Sequence, residues 1–161
     1  MQRGWWLEDV RPGTIVRHPG GRTITADEHP VLAALADSMS EVHGNADRAA
    51  RTPFGQPLVL GALTTAVVIG LAAPAVGRWG HARRALPRGW RRIRLSGVVL
   101  AGDTLRAESR IVSVARDADG AGGLVERSIV GRNQRHEGVV EIDEVCWVPD
   151  GRWRAEGARP G

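Results

Sequence analysis

Leu58-Val59-Leu60-Gly61-Ala62-Leu63-Thr64-Thr65-Ala66-Val67-Val68-Ile69-Gly70-Leu71-Ala72-Ala73-Pro74-Ala75-Val76 carries no charged side chain over 19 residues. As a helix it would be about 28 Å long at ~1.5 Å per residue, close to the ~30 Å hydrocarbon core of a bilayer. Gly61, Gly70 and Pro74, the Thr64-Thr65 pair and the alanines all weaken a membrane-spanning reading. No second apolar stretch of this length exists. We therefore expect no membrane partner and a helix, apolar all round, buried at the centre of a soluble domain.

Downstream, the hydrophobic period changes. From Thr104 to Arg110, Leu105, Ala107 and Ser109 alternate with Thr104, Arg106, Glu108 and Arg110, the period-2 pattern of a half-buried strand. Asp117–Gly123 reads as a turn-rich link, Leu124–Arg132 as a strand and Asn133–Gly138 as a loop. Val139–Val148 reads as a last strand, with Val140, Ile142, Cys146 and Val148 on one face. Upstream, residues 14–25 suggest two short strands around Gly20-Gly21. Thr25 and Glu28 form a capping-box pattern for a helix through about Asp37, with Val31, Leu32, Leu35 and Met39 at helical spacing. Residues 38–57 read as irregular. Strands that each need an apolar partner, following one very apolar helix, are best satisfied by an α+β fold: a curved antiparallel sheet wrapped around that helix.

The 161 residues suit one domain, placed at 1–150 with a flexible tail at 151–161. A hydrophobic content of 42% and a charged content of 25% are ordinary for a globular chain. The single cysteine, Cys146, rules out an internal disulfide and, with no apolar leader after Met1, points to the cytoplasm. All 22 basic residues are Arg, and the net charge is only +4. The high pI reflects the absence of Lys and Tyr, so nucleic acid is not an expected partner. Cys146 alternates with apolar neighbours as a buried thiol would. The histidines outside His43 are scattered without metal-ligand spacing, so no metal is expected. The six tryptophans read as packing residues.

Three stretches carry a resemblance. The first is Ser38-Met39-Ser40-Glu41-Val42-His43, then Ala49-Ala50-Arg51-Thr52-Pro53-Phe54-Gly55, then Leu58-Val59-Leu60-Gly61. The second is Gly89-Trp90 with Ile93-Arg94. The third is Gly102-Asp103-Thr104-Leu105 with Glu108-Ser109. Over about residues 8–149 the chain resembles the MaoC-like enoyl hydratase/dehydratase family of hot-dog proteins. That resemblance implies an acyl thioester substrate on coenzyme A or an acyl carrier protein, and no further cofactor. It places the catalytic histidine at His43 and the oxyanion-donating glycine at Gly61. In the family, an N–H at a helix N-terminus polarises the thioester carbonyl while an Asp/His pair moves protons.

The chain departs from that pattern at the Asp, where Ser38 stands, and at the Asn-Pro positions, where Ser40 and Glu41 stand. A serine hydroxyl is no carboxylate base at neutral pH. Ser38, Asp37 or Glu41 are then the candidates for the second polar group, with Asp47 also near in sequence. The expectation is a specialised hydratase or dehydratase, as in secondary metabolism. The same site could run a cyclisation or isomerisation through an enolate. A non-catalytic or partner-dependent hot-dog subunit is the alternative, and a thioesterase is a weaker third. Arg83, Arg84, Arg88, Arg91, Arg92 and Arg94 form the densest basic run. Arg91, Arg92 and Arg94 are candidates for the phosphates of coenzyme A or an acidic carrier protein, against a plainly solvated strand face. A lone sheet edge further predicts a homodimer.

Overall fold

The computed structural model describes residues 6–38, 40–73 and 85–151. A 3-10 turn at Leu7–Asp9 leads to two short strands, β1 (Ile15–Arg17) and β2 (Arg22–Thr23), and helix α1 (Glu28–Leu35). Two short helices, α2 (Glu41–Gly44) and α3 (Ala46–Ala50), precede the apolar helix α4 (Gly61–Ala72). Four long strands complete the chain: β3 (Leu86–Leu95), β4 (Thr104–Arg116), β5 (Gly122–Arg132) and β6 (Gly138–Pro149). They form an antiparallel sheet in the order β1-β4-β5-β6-β3, with β2 also paired to β4. Helix α4 packs against β4, β5 and β6, which is the hot-dog arrangement.

Alternation along the strands sets which side chains face the helix. Leu105, Ala107, Ser109 and Ile111 of β4 are buried, as are Val125 and Ile129 of β5 and Val140, Ile142, Cys146 and Val148 of β6. Val67, Val68 and Ala72 of α4 join Leu105, Ile129, Val140 and Ile142 in the main apolar core. The close approach of α4 to β5 depends on Gly131. A Cβ there would lie 2.5 Å from Val68 Cγ2 and 2.9 Å from Val140 Cγ1. Burial pushes the Cys146 thiol up to about 11, as expected of an inert core thiol.

The structure shortens and re-faces the expected helix. Leu58–Leu60 is extended, with Val59 N–H bonded to Val99 O at 2.9 Å and Leu58 bridged to Leu100. These sheet-like bonds compete successfully with helix formation ahead of Gly61. Nor is α4 buried all round: Ala62, Ala66 and Gly70, spaced by four, are exposed in the single chain. Residues 38–57, expected to be irregular, hold α2 and α3. Helix α1 closes at Leu35, two residues early, because Asp37 takes a left-handed conformation (φ 48°). Met39, Trp5, Trp79, Trp153, Arg83, Arg84, residues 74–76 and the tail from 152 lie outside the described residues. No helix among the described residues is long and apolar enough to cross a membrane.

A buried carboxylate and a buried ion pair hold the frame. Asp103, in the Gly-Asp-Thr-Leu turn, accepts the Leu100 N–H at 3.0 Å and the Gln134 amide at 2.7 Å, which locks the entry to β4. Arg127 and Glu144 face each other across β5 and β6, with Arg127 Nε 2.5 Å from Glu144 Oε2. Arg127 Nη1 also donates to Ala72 O at 3.0 Å, so a buried cation caps the carbonyl end of α4, where the helix dipole favours it.

Candidate functional site

The site forms where α1, α2 and the extended segment before α4 meet. Thr25 Oγ1 accepts the Glu28 N–H at 3.2 Å and starts α1. At the other end the Asp37 N–H bonds Ala34 O and the Ser38 N–H bonds Ala33 O, both at 3.0 Å. This hook satisfies carbonyls of the last turn and turns the chain toward α2. Glu41–Gly44 then closes one short helical turn that carries His43. Asn45 caps α3 by accepting the Arg48 N–H at 3.0 Å.

His43 is fixed by its backbone partner. Its Nδ1 lies 2.8 Å from Leu58 O. A carbonyl can only accept, so Nδ1 carries the proton, and Nε2 is the ring nitrogen left for proton transfer. The Leu58 N–H in turn bonds Val42 O at 3.0 Å, so α2 and the extended segment are joined twice. Three residues on, α4 begins at Gly61. Its first helical bond is from the Thr64 N–H to Leu60 O, which leaves the Gly61, Ala62 and Leu63 N–H groups at the open, positive end of the helix. His43 is thus tied by a hydrogen bond to the segment that runs into the open end of α4.

The sequence reading passed over His29. This α1 residue is 3% exposed and its Nε2 accepts the Leu60 N–H at 3.3 Å. An acceptor must be unprotonated, and burial, followed by the charge of His43, holds His29 below the ordinary histidine value. His29 sits in a helical pattern beside Pro30 and looks unremarkable there. Only the return of the chain at Leu60 reveals its partner.

The other candidates spread out. Ser38 is half-buried at the α1 hook, with its N–H spent on that hook. Asp37 is exposed. Glu41 is exposed and 3.4 Å from Arg48, and Asp47 is 2.8 Å from Arg51. No carboxylate among the described residues hydrogen-bonds the His43 ring. On β3, Arg91 pairs with Glu126 at 2.6 Å and Arg92 with Asp143 at 2.8 Å, while Arg94 is exposed. Cross-strand carboxylates thus already engage two of the three arginines. Among the described residues no group of three or more His, Cys, Asp or Glu could hold a metal ion.

Comparisons with known proteins agree with this fold. No family model matches the chain. It is 30% identical over 151 residues to β-methylmalyl-CoA dehydratase of Chloroflexus aurantiacus, covering 90% of this chain and 40% of that protein. It is 29% identical over 150 residues to mesaconyl-CoA hydratase of Cereibacter sphaeroides, with the same coverage. The chain therefore spans 40% of the length of these curated relatives. Among solved structures, a MaoC domain dehydratase from Chloroflexus aurantiacus superimposes with a TM-score of 0.79 at 26% identity, over 92% of this chain and 41% of that one. The sheet wrapped on α4 is the hot-dog fold, and over 90% of its length the chain is similar to hydratases and dehydratases of the MaoC-like kind.

Proposed function

We propose that the chain hydrates an enoyl thioester, or runs the reverse dehydration, with His43 as the proton-transfer group and the Gly61 N–H as oxyanion donor. The observation that carries this reading is the 2.8 Å bond from His43 Nδ1 to Leu58 O, three residues before Gly61. It fixes the tautomer, leaves Nε2 as the ring nitrogen for proton transfer, and ties His43 to the segment that leads into α4.

In hydration, His43 Nε2 takes a proton from water as the water oxygen bonds to the β carbon. The π electrons move onto the thioester oxygen, where the Gly61 N–H and the helix dipole stabilise the enolate. The enolate re-forms the carbonyl as the α carbon takes a proton from the His43 imidazolium. Water adds across the double bond and the histidine returns to neutral. One histidine thus serves as base and then acid, which suits a site with no carboxylate on its ring. The activities of the relatives support thioesters of coenzyme A as the first substrates to try, with an acyl carrier protein as the other carrier. No further cofactor takes part. A specialised substrate fits the missing Asp.

The working unit in this reading is a homodimer in the cytoplasm. The edge strand β3 presents Leu86, Trp90, Ile93 and Leu95 at 47–55% exposure, and α4 presents its Ala62-Ala66-Gly70 stripe. Both are surfaces that a second hot-dog domain would cover. A partner-dependent subunit is the competing reading, favoured by the absence of a carboxylate on His43 and by relatives of greater length. A hydration assay with crotonyl-CoA and mesaconyl-CoA, on wild type and His43→Ala, tests the proposal. Loss of the proton-transfer group should cost about a hundredfold or more. A wild type that neither hydrates nor binds an acyl-CoA, or a His43→Ala variant at full rate, rejects it.

A further inference from the structure

We propose that His29 is a positioning residue of this site, holding the Leu60 peptide so that the next N–H, that of Gly61, faces the thioester oxygen. The inference rests on the hydratase reading above and adds a residue to it.

The extended segment Leu58–Leu60 has two edges. Val59 bonds Val99 on one, at 2.9 Å. On the other, the Leu58 N–H meets Val42 O, Leu58 O meets His43 Nδ1, and the Leu60 N–H meets His29 Nε2. Carbonyl i and N–H i+2 of an extended chain point the same way, so the two histidines grip one edge of one three-residue segment. Their roles are opposite. His43 must hold its proton on Nδ1 to donate to a carbonyl, and His29 must keep Nε2 bare to accept from an amide.

His29 acts at the junction that matters for the oxyanion. Leu60, the last residue before α4, has φ −57° and ψ 130°, and these angles set the direction of the Leu60–Gly61 peptide. Without an acceptor at 3.3 Å, the half-buried Leu60 N–H would have to rotate to find another partner. The Gly61 N–H would turn with it. A donor that is misplaced by a fraction of an ångström loses most of its effect on a developing charge. A histidine only 3% exposed at this point, with its lone pair spent on one backbone amide, is costly for packing alone; leucine would fill the space without a desolvated ring.

The test compares His29→Gln with His29→Asn. The glutamine amide oxygen can reach the place of Nε2, whereas that of asparagine stops short. We expect His29→Asn to lower kcat for enoyl-CoA hydration by about ten- to a hundredfold with KM changed less than threefold. His29→Gln should recover to within about threefold of wild type by the same reasoning. A His29→Asn enzyme with wild-type kcat, or a His29→Gln enzyme as slow as His29→Asn, overturns the proposal while leaving the hydratase reading intact. A wild type that neither hydrates these substrates nor binds acetoacetyl-CoA, an enolisable thioester, overturns both. If it binds without turnover, the acetoacetyl-CoA affinity of the two variants replaces kcat with the same expected order. Should His29→Asn fail to fold, imidazole nitrogen chemical shifts in wild type decide: the Nδ1–H tautomer of His29 supports the proposal and the Nε2–H tautomer overturns it.

Discussion

Gly61→Pro isolates the oxyanion donor with little disturbance elsewhere. Gly61 is the first residue of α4, the one helical position where proline is favoured, because no intrahelical bond uses its N–H. The preceding residue must then be extended, and Leu60 already is, at φ −57° and ψ 130°. The substitution therefore removes one N–H and leaves the helix. One steric cost remains: a Cβ at this position would lie 2.4 Å from Leu95 Cδ1. Leu95 is 55% exposed, so its tip can turn away. Gly61→Ala carries the same Cβ and keeps the N–H, which makes it the control. Reduced freedom of the unfolded chain should offset part of the Leu95 displacement, and both variants should stay within a few degrees of wild-type Tm. Removing one oxyanion donor costs on the order of 100- to 1000-fold, about 2.7–4 kcal/mol of transition-state stabilisation. Steady-state hydration of an enoyl-CoA, with circular dichroism melts of all three proteins, reads both quantities. Equal kcat for Gly61→Pro and Gly61→Ala would show that the Gly61 N–H does not hold the developing oxyanion.

Other outcomes follow from the core. Glu144→Gln strips the charge from the partner of buried Arg127 and should destabilise the fold by about 3–5 kcal/mol in urea unfolding. A loss below 1 kcal/mol would mean water reaches the pair. Gly131→Ala drives a methyl into Val68 and Val140 and should cost about 1–3 kcal/mol, read as a lower denaturation midpoint at unchanged slope. His18, whose Nε2 lies 2.7 Å from Ser109 Oγ, is lowered to about 4, first by burial and then by Arg127. Its folded value lies below the unfolded 6.5. The stability of its neutral form is thus complete above pH 6.5 and is lost as pH falls through about 4. The shift corresponds to about 3.4 kcal/mol, which solvent reaching the half-buried ring reduces to a loss of about 2 kcal/mol, and His18→Gln should flatten that part of the curve. An unchanged pH profile in His18→Gln would remove His18 from the balance.

Much of the architecture was legible in one dimension because periodicity reports burial. The alternation at Leu105, Ala107 and Ser109 and at Val140, Ile142, Cys146 and Val148 placed β4 and β6 with the correct inward faces. The uncharged run around Gly61–Ala72 announced the central helix. The ends of elements were less legible. Leu58–Leu60 is apolar enough for helix, yet forms sheet-like bonds to Val99 and Leu100, partners about forty positions away.

Composition and period determined what must be buried, since the cost of leaving apolar surface in water depends on the residues alone. Which polar groups meet was decided by the tertiary structure. Hydrogen bonds are short-ranged and directional, and folding brings together atoms that no spacing rule connects. His29 reaches the Leu60 amide across thirty-one positions, His43 reaches Leu58 across fifteen, and Arg127 caps Ala72 across fifty-five. The same closure left Asp37, Glu41 and Asp47, the carboxylates nearest to His43 in sequence, on the surface.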